Sequence, residues 1–167
     1  MSHGPTRRDL LAAGGALLAL GPGLVSAQAA PAPAPLEPGT RPWFERYLAA
    51  FNAKDYPGFS AYYAPDVHFF GQAATLEGAP AIVDFYRGVH ARIDERVDLI
   101  SFVGSPTRIM AEIRTTLIAR EDWADFPTGP FARGDRRRTL NFALYELADG
   151  RFQRIRSARF ARLPDAD

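Results

Sequence analysis

The chain has 167 residues, 47% of them hydrophobic, and a formal net charge of +1. That is enough for one domain with a real core and too little for two. It contains no cysteine, which excludes disulfides, thiolate zinc sites and cysteine nucleophiles.

The N-terminus reads as an export signal over residues 1–29. Thr6-Arg7-Arg8-Asp9-Leu10-Leu11 leads into an apolar run ending at Val25, followed by Ser26-Ala27-Gln28-Ala29, with small residues spaced for cleavage after Ala27 or Ala29. Paired arginines before Leu-Leu resemble a twin-arginine (Tat) signal, which makes the Tat translocase a transient partner and the periplasm or medium the destination. The run from Leu10 to Val25 is 16 residues long and holds Pro22. A membrane span needs about 20 apolar residues, so no stable membrane anchor is expected. Taking Arg7, Arg8 and Asp9 away from the 20 basic and 19 acidic residues leaves 18 of each. A balanced chain gives no electrostatic case for a nucleic-acid partner.

Residues 30–41 alternate Pro and Ala and read as an extended spacer. The domain proper is expected over 42–163. Phe44, Tyr47, Leu48 and Phe51 recur at helical spacing, predicting a helix over Trp43–Lys54. A short helix over Gly58–Tyr63, a strand over Val67–Phe70 and a loop over Gly71–Gly78 follow. Ala79–Glu95 reads as a long helix with Ile82, Phe85, Tyr86, Val89 and Ile93 on its buried face. From Val97 the period becomes two, in strands over Val97–Val103 and Arg108–Leu117. A long loop, Glu121–Asp135, precedes strands over Thr139–Leu147 and Arg151–Phe160, joined by a hairpin turn at Asp149-Gly150. Helices first, then an antiparallel meander, predict an α+β fold.

Tyr47-Leu48-Ala49-Ala50-Phe51-Asn52-Ala53-Lys54-Asp55, Tyr63-Ala64-Pro65-Asp66-Val67, Leu76-Glu77-Gly78, Ala81-Ile82-Val83-Asp84-Phe85-Tyr86 and Asp149-Gly150-Arg151-Phe152 follow one another in an order that resembles the nuclear-transport-factor-2-like superfamily. Within it the chain is most similar to the SnoaL-like polyketide cyclase and ketosteroid isomerase branch. The resemblance implies a conical half-barrel, a curved antiparallel sheet wrapped by three helices around an apolar pocket. It implies isomerase, cyclase, dehydratase, hydrolase or pure binding activity without a cofactor, and fold alone does not choose among these. By the same resemblance Tyr47 stands where steroid isomerases place an oxyanion donor, and Tyr86 where a second tyrosine supports it. Their catalytic aspartate corresponds to Gly71 and their protonated aspartate to Ala143, so that isomerisation route lacks its base.

The residues themselves leave alternatives open. Tyr47 and Tyr86 are pocket donors or core tyrosines with wet hydroxyls. His68 is a candidate base, but strand parity turns it away from a pocket faced by Val67, Phe69 and Gly71 unless a bulge intervenes. His90 reads as a helix-face residue, and two scattered histidines make no metal site. Parity assigns Phe69, Ile109, Ile113, Asn141 and Tyr145 to the pocket wall, with Asn141 orienting a ligand carbonyl or satisfied by backbone. Trp123, Phe126 and Phe131 in the long loop are expected to cover the pocket mouth or a second subunit. Glu121, Asp122 and Asp125 around Trp123 read as a solvated tip. Arg159 at the mouth would hold a carboxylate. Leu140, Phe142 and Leu144 face the other way and predict a homodimer through the convex face of the sheet.

Two readings stand: an exported pocket enzyme for a small apolar molecule, and a non-catalytic binding or association module. Replacing Arg7 and Arg8 with Lys keeps the charge and removes the guanidinium pair. Fractionation of the native host should then find the chain retained in the cytoplasm; delivery at the normal rate would contradict the Tat assignment.

Overall fold

The structure, a computed structural model, describes residues 36–164. The expected leader and the first half of the spacer lie outside these residues. Three helices and six strands follow in the order α1 (Arg41–Asn52), α2 (Tyr56–Ser60), β1 (Tyr63–Phe70), β2 (Thr75–Glu77), α3 (Ala79–Arg92), β3 (Ile93–Ser105), β4 (Arg108–Ala119), β5 (Arg136–Ala148) and β6 (Arg151–Leu163).

The strands form one curved mixed sheet in the order β2-β1-β6-β5-β4-β3. This is the α+β architecture expected, with one addition: β1 pairs with β6 in parallel, while the other neighbours are antiparallel. The short helices and the early position of β1 allow no hairpin to β6, so that pairing joins the two ends of the domain.

Local chemistry explains the elements. Pro42 lies at the start of α1, where a missing N–H costs nothing. Asp55 caps α2, accepting from the Gly58 amide at 3.0 Å. The Asp149-Gly150 turn has φ of 50° and 72°, the left-handed pair that a tight β5–β6 hairpin requires. The apolar stripe of α1 buries Trp43, Phe44, Tyr47, Leu48 and Phe51 against the inner face of the sheet. Asn52 ties the end of α1 to β3: its Nδ2 donates to the Val97 carbonyl and its Oδ1 accepts from the Val97 amide, both at 2.8 Å.

Two boundaries differ from expectation in ways that matter. The long helix ends at Arg92, and β3 begins at once with Ile93, so Glu95 belongs to a strand. Period two also fails inside β3. A register shift between Leu99 and Ser101 swaps the faces, so Phe102 turns inward and packs at 5.7 Å on the Phe44 ring.

The inner face carries the main core, and a second apolar cluster of Val89, Ile93, Ala119, Phe126 and Phe131 lies at the loop end. That loop, 120–135, is a folded flap rather than a bare hairpin tip. Trp123 and Phe131 bridge through paired backbone hydrogen bonds of 2.8 and 3.0 Å. On the outer face Met110, Phe142 and Phe160 are exposed, with Phe142 and Phe160 in edge contact at 5.3 Å, while Leu140 and Leu144 are half-buried.

Candidate functional site

The concave side of the sheet, α1 and α3 enclose a cavity of about 150 Å³. A cavity of this order holds about one aromatic ring. Its floor is made by Tyr47 from α1, Tyr145 from β5 and Ile155 from β6; its walls by Phe69, Tyr86 and Ile113; and its flap side by Phe126. Gln72 and Arg159 are the exposed members of the lining and mark the mouth.

Strand parity places most of the expected residues correctly. Tyr47, Tyr86, Phe69, Ile113, Asn141, Tyr145 and Arg159 all reach the same cavity. Three expected residues do not. Ile109 is fully buried opposite Tyr145 in the β4–β5 register and is not part of the lining. Trp123 stands behind the lining, stacked edge-on against Phe126 at 4.8 Å and covered by the Arg92 guanidinium at 4.8 Å; Phe126 is the loop aromatic that reaches the cavity. His68 lies on the opposite face of β1, its Nδ1 3.4 Å from Glu77 and its ring stacked on Phe70. No bulge turns it inward, because its register with β2 and β6 is shared with Phe69 and Phe70.

Two of the three loop carboxylates are spent locally. Glu121 pairs with Arg92 at 3.0 Å, and Asp122 accepts from the Arg133 amide at 2.7 Å. Among the described residues no cluster of three metal-ligating side chains is present.

The tyrosines form a connected set. The Tyr47 and Tyr63 hydroxyls are 3.1 Å apart, so one donates to the other and the second proton remains free. The hydroxyls of Tyr86 and Tyr145 have no hydrogen-bond partner among the described residues. Burial, with smaller contributions from the neighbouring tyrosines and Glu95, pushes Tyr47 and Tyr63 well above the usual tyrosine range, although the Tyr47 hydrogen bond partly opposes the shift at Tyr63. Burial and then Glu95 do the same for Tyr86, and burial alone raises Tyr145. All four therefore stay protonated and serve as donors.

Asn141 is held rather than loose. Its Oδ1 accepts from Gln72 at 2.8 Å, and its Nδ2 donates to Thr115 and Thr139, each at 3.1 Å. Arg159, paired in register with Asn141, makes no ion pair or hydrogen bond among the described residues and lines the cavity at its exposed end. Arg137, also in the lining, is committed: it rests 3.8 Å over the Phe131 ring and donates to the carbonyls of Thr128, Gly129 and Pro130.

Gly71 and Ala143, small residues at the cavity, have different structural reasons. Ala143 is buried and leaves the cavity its room beside Tyr145. At Gly71 a Cβ would lie 2.5 Å from the Phe69 ring, so the phenyl occupies the space a side chain would need. The cavity nonetheless has a carboxylate that sequence reading missed. Glu95 lines it, with its side chain 12% exposed, and His90 Nε2 lies 3.5 Å away. His90 is itself buried, not a surface helix residue. The signal was present: Ile93, Glu95 and Val97 alternate with Asp94 and Arg96, the same period two begun four residues earlier.

Comparison with known proteins agrees with this architecture. A family model described as a SnoaL-like domain matches residues 44–155, well over half of the chain, and the chain belongs to that family. Solved structures share the fold. A SnoaL-like polyketide cyclase from Agrobacterium tumefaciens is 19% identical with a TM-score of 0.56, over 70% of this chain and 87% of its own. The LEH-like epoxide hydrolase of M. tuberculosis is 16% identical at a TM-score of 0.56, over 70% and 78%. A nuclear-transport-factor-2-like protein from Burkholderia pseudomallei is 21% identical at 0.56, over 70% and 86%. At these identities the likeness is one of fold. No curated protein matches in sequence.

The raised tyrosines generate a prediction with a definite sign. In the unfolded chain they ionise near pH 10, and in the folded chain only above it. The stabilisation they give is complete below about pH 10 and is lost as pH rises further, because only the unfolded state releases the protons. Absorbance at 295 nm should therefore rise together with loss of far-ultraviolet circular dichroism. Ionisation of the full tyrosine complement with a native spectrum would contradict it.

Proposed function

We propose that this chain is an exported enzyme of SnoaL-like type that binds a small, mostly apolar, carbonyl-bearing molecule and isomerises, cyclises or hydrolyses it by proton transfer among its own side chains. The observation that carries the reading is the convergence of Tyr47, Tyr86 and Asn141 on one cavity of about 150 Å³. An apolar cavity with a few fixed polar groups is the usual form of a small-molecule site. The tyrosine hydroxyls are protonated donors suited to a carbonyl oxygen that gains charge during reaction. Arg159 at the mouth suits a ligand whose far end is anionic. Export rests on the leader read in the sequence.

The second reading, a non-catalytic binding or association module, draws on Gly71 and Ala143, which stand where the steroid isomerases carry carboxylates. Turnover of any enolisable ketone separates the two.

A phenol mimics the charge-bearing oxygen, and 4-nitrophenol is of one-ring size. Wild type should bind it, read by intrinsic tryptophan fluorescence, and Tyr47→Phe should weaken binding by roughly 0.5–1.5 kcal/mol, the net worth of one neutral hydrogen bond. Equal affinity in the two proteins would remove Tyr47 from the site.

We also propose a homodimer through the outer face of the sheet, where Met110, Phe142 and Phe160 lie exposed beside half-buried Leu144. Light scattering on the chain lacking its leader should give twice the monomer mass, and Phe142→Glu should give monomer. Wild type running as a monomer at tens of micromolar, on the order of ordinary working concentrations, would overturn the interface.

A further inference from the structure

We propose that Glu95, backed by His90, is the group that takes and returns protons in this cavity, so that the molecule bound there is a carbon acid: a ketone of about one ring in size with an enolisable C–H beside its carbonyl. The proposal rests on the reading of the cavity given above.

The placement follows from the junction of α3 and β3. The helix ends at Arg92, and Ile93 is already extended, with φ −125° and ψ 135°. From there the side chains alternate. Ile93 and Val97 are buried on the inner face, and Glu95 shares their parity, opposite Leu117 of β4. A carboxylate thus stands in a row of apolar residues and opens on the cavity. Withdrawing it from water is costly unless something compensates. The one ionisable side chain within ion-pair distance of it among the described residues is His90, 3.5 Å away.

His90 is built into the core. Its side chain is 2% exposed, its ring lies against Phe51 and Tyr86, and its Nδ1 is 3.3 Å from the Tyr56 hydroxyl. Its Nε2, on the Glu95 side, is buried without a hydrogen-bond partner. A pair serving only stability would close that bond. Here an unbonded imidazole nitrogen and a carboxylate with open acceptor positions sit at a cavity wall, a combination that marks functional sites.

The carboxylate and the hydroxyls act on one another. The Glu95 charge contributes to holding Tyr47, Tyr63 and Tyr86 in their protonated form. Neighbouring groups are thereby driven to opposite roles, acceptor on one wall and donors on the other. The absence of a carboxylate at Gly71, where the Phe69 ring fills the space, leaves Glu95 to supply it from a different strand.

The step balances without any further reactant. A Glu95 carboxylate oxygen bonds to the hydrogen on the carbon beside the carbonyl. The C–H electron pair becomes the C=C bond of an enolate, and the carbonyl π pair moves to oxygen, which accepts hydrogen bonds from the tyrosine hydroxyls. Return of the proton from the Glu95 carboxylic acid to the same or a conjugated carbon restores the carbonyl and the carboxylate. Nothing is oxidised or reduced. His90 is a positioning residue: it backs the carboxylate from 3.5 Å, within ion-pair reach though short of a closed hydrogen bond, and does not touch the substrate.

The test is hydrogen–deuterium exchange of cyclohexanone in deuterated buffer, followed by proton NMR, with 4-nitrophenol binding measured in parallel. Wild type should accelerate exchange over buffer. Glu95→Gln should lower the rate about 100-fold or more, the usual share of a general base, while leaving 4-nitrophenol affinity within a few-fold. Glu95→Asp, which keeps a carboxylate, should retain part of the rate and a native circular dichroism spectrum. His90→Gln, still able to donate, should keep most of the rate, whereas His90→Phe should lose kcat with KM unchanged. A Glu95→Gln rate equal to wild type overturns the assignment. So does wild type that binds 4-nitrophenol yet gives no exchange above buffer, and in both cases the cavity reading survives. Wild type that binds no 4-nitrophenol removes the cavity reading and this proposal with it.

Discussion

The narrow end of the cone is sealed by aromatic rings packed around Phe152, and the cavity exists because that seal holds. Phe152 is fully buried. The rings of Tyr145 at 4.8 Å, Tyr47 at 5.0 Å and Trp43 at 5.1 Å surround it, drawn from β5 and α1. Tyr62 and Tyr63 close in at 6.3 and 6.2 Å from the start of β1. Tilted and edge-on contacts of this kind stabilise by about 0.5–1.5 kcal/mol each beyond the area they bury. Packing the carbon faces of tyrosines into the seal leaves their hydroxyls aimed up into the remaining space. The donors of the cavity are thus a by-product of how its floor is closed.

Above that floor the site is graded in polarity. The hydroxyls of Tyr47 and Tyr86 lie at the aromatic end, the Glu95 carboxylate and buried His90 along the α3–β3 side, and Asn141, Gln72 and Arg159 toward the mouth. Each of these polar groups except Gln72, which sits in the β1–β2 loop, is carried by a regular element. Asn141 is pinned by three side-chain hydrogen bonds, and Asn52 locks α1 to β3 beside Val97, two residues from Glu95. Rigid placement of this sort lets a few polar groups act without first being ordered by the ligand.

Much of this was readable before any coordinates. Period two in β4 and β5 alone assigned Ile113, Asn141 and Tyr145 to the inner face, and helical spacing assigned Tyr47 and Tyr86, because a half-buried strand or helix shows its two faces in its composition. The failures cluster where backbone geometry changes without a composition cue. The α3–β3 junction has no glycine or proline between Val89 and Val97, so the helix seemed to run on to Glu95 and its carboxylate was assigned to the wrong element. The bulge after Leu99 reversed Phe102 by one residue of register, which periodicity cannot see. Composition marks Trp123, Phe126 and Phe131 alike as covers for the mouth or a second subunit; of the three, Phe126 lines the cavity, while Trp123 bridges to Phe131 and packs against Arg92. Ile109 obeyed its parity but is not part of the lining, since parity gives the face and not the place along it.

The parallel pairing of β1 with β6 has a consequence for how the chain acquires its shape. Tyr63 lies beside Phe152, and Phe70 beside Arg156, so contacts separated by more than 80 residues decide whether the sheet is complete. The β3–β4 and β5–β6 hairpins can form from neighbouring segments as they emerge from the ribosome, but β1 has only the three-residue β2 as a local partner. Until the last strand is available, β1 and the helices before it expose the aromatic side chains destined for the seal. Long-range closure of this kind slows folding and lengthens the time for which a sticky, unpaired edge is open to other chains. The final dozen residues of the sheet therefore set the moment at which a nascent chain ceases to be a client for chaperones.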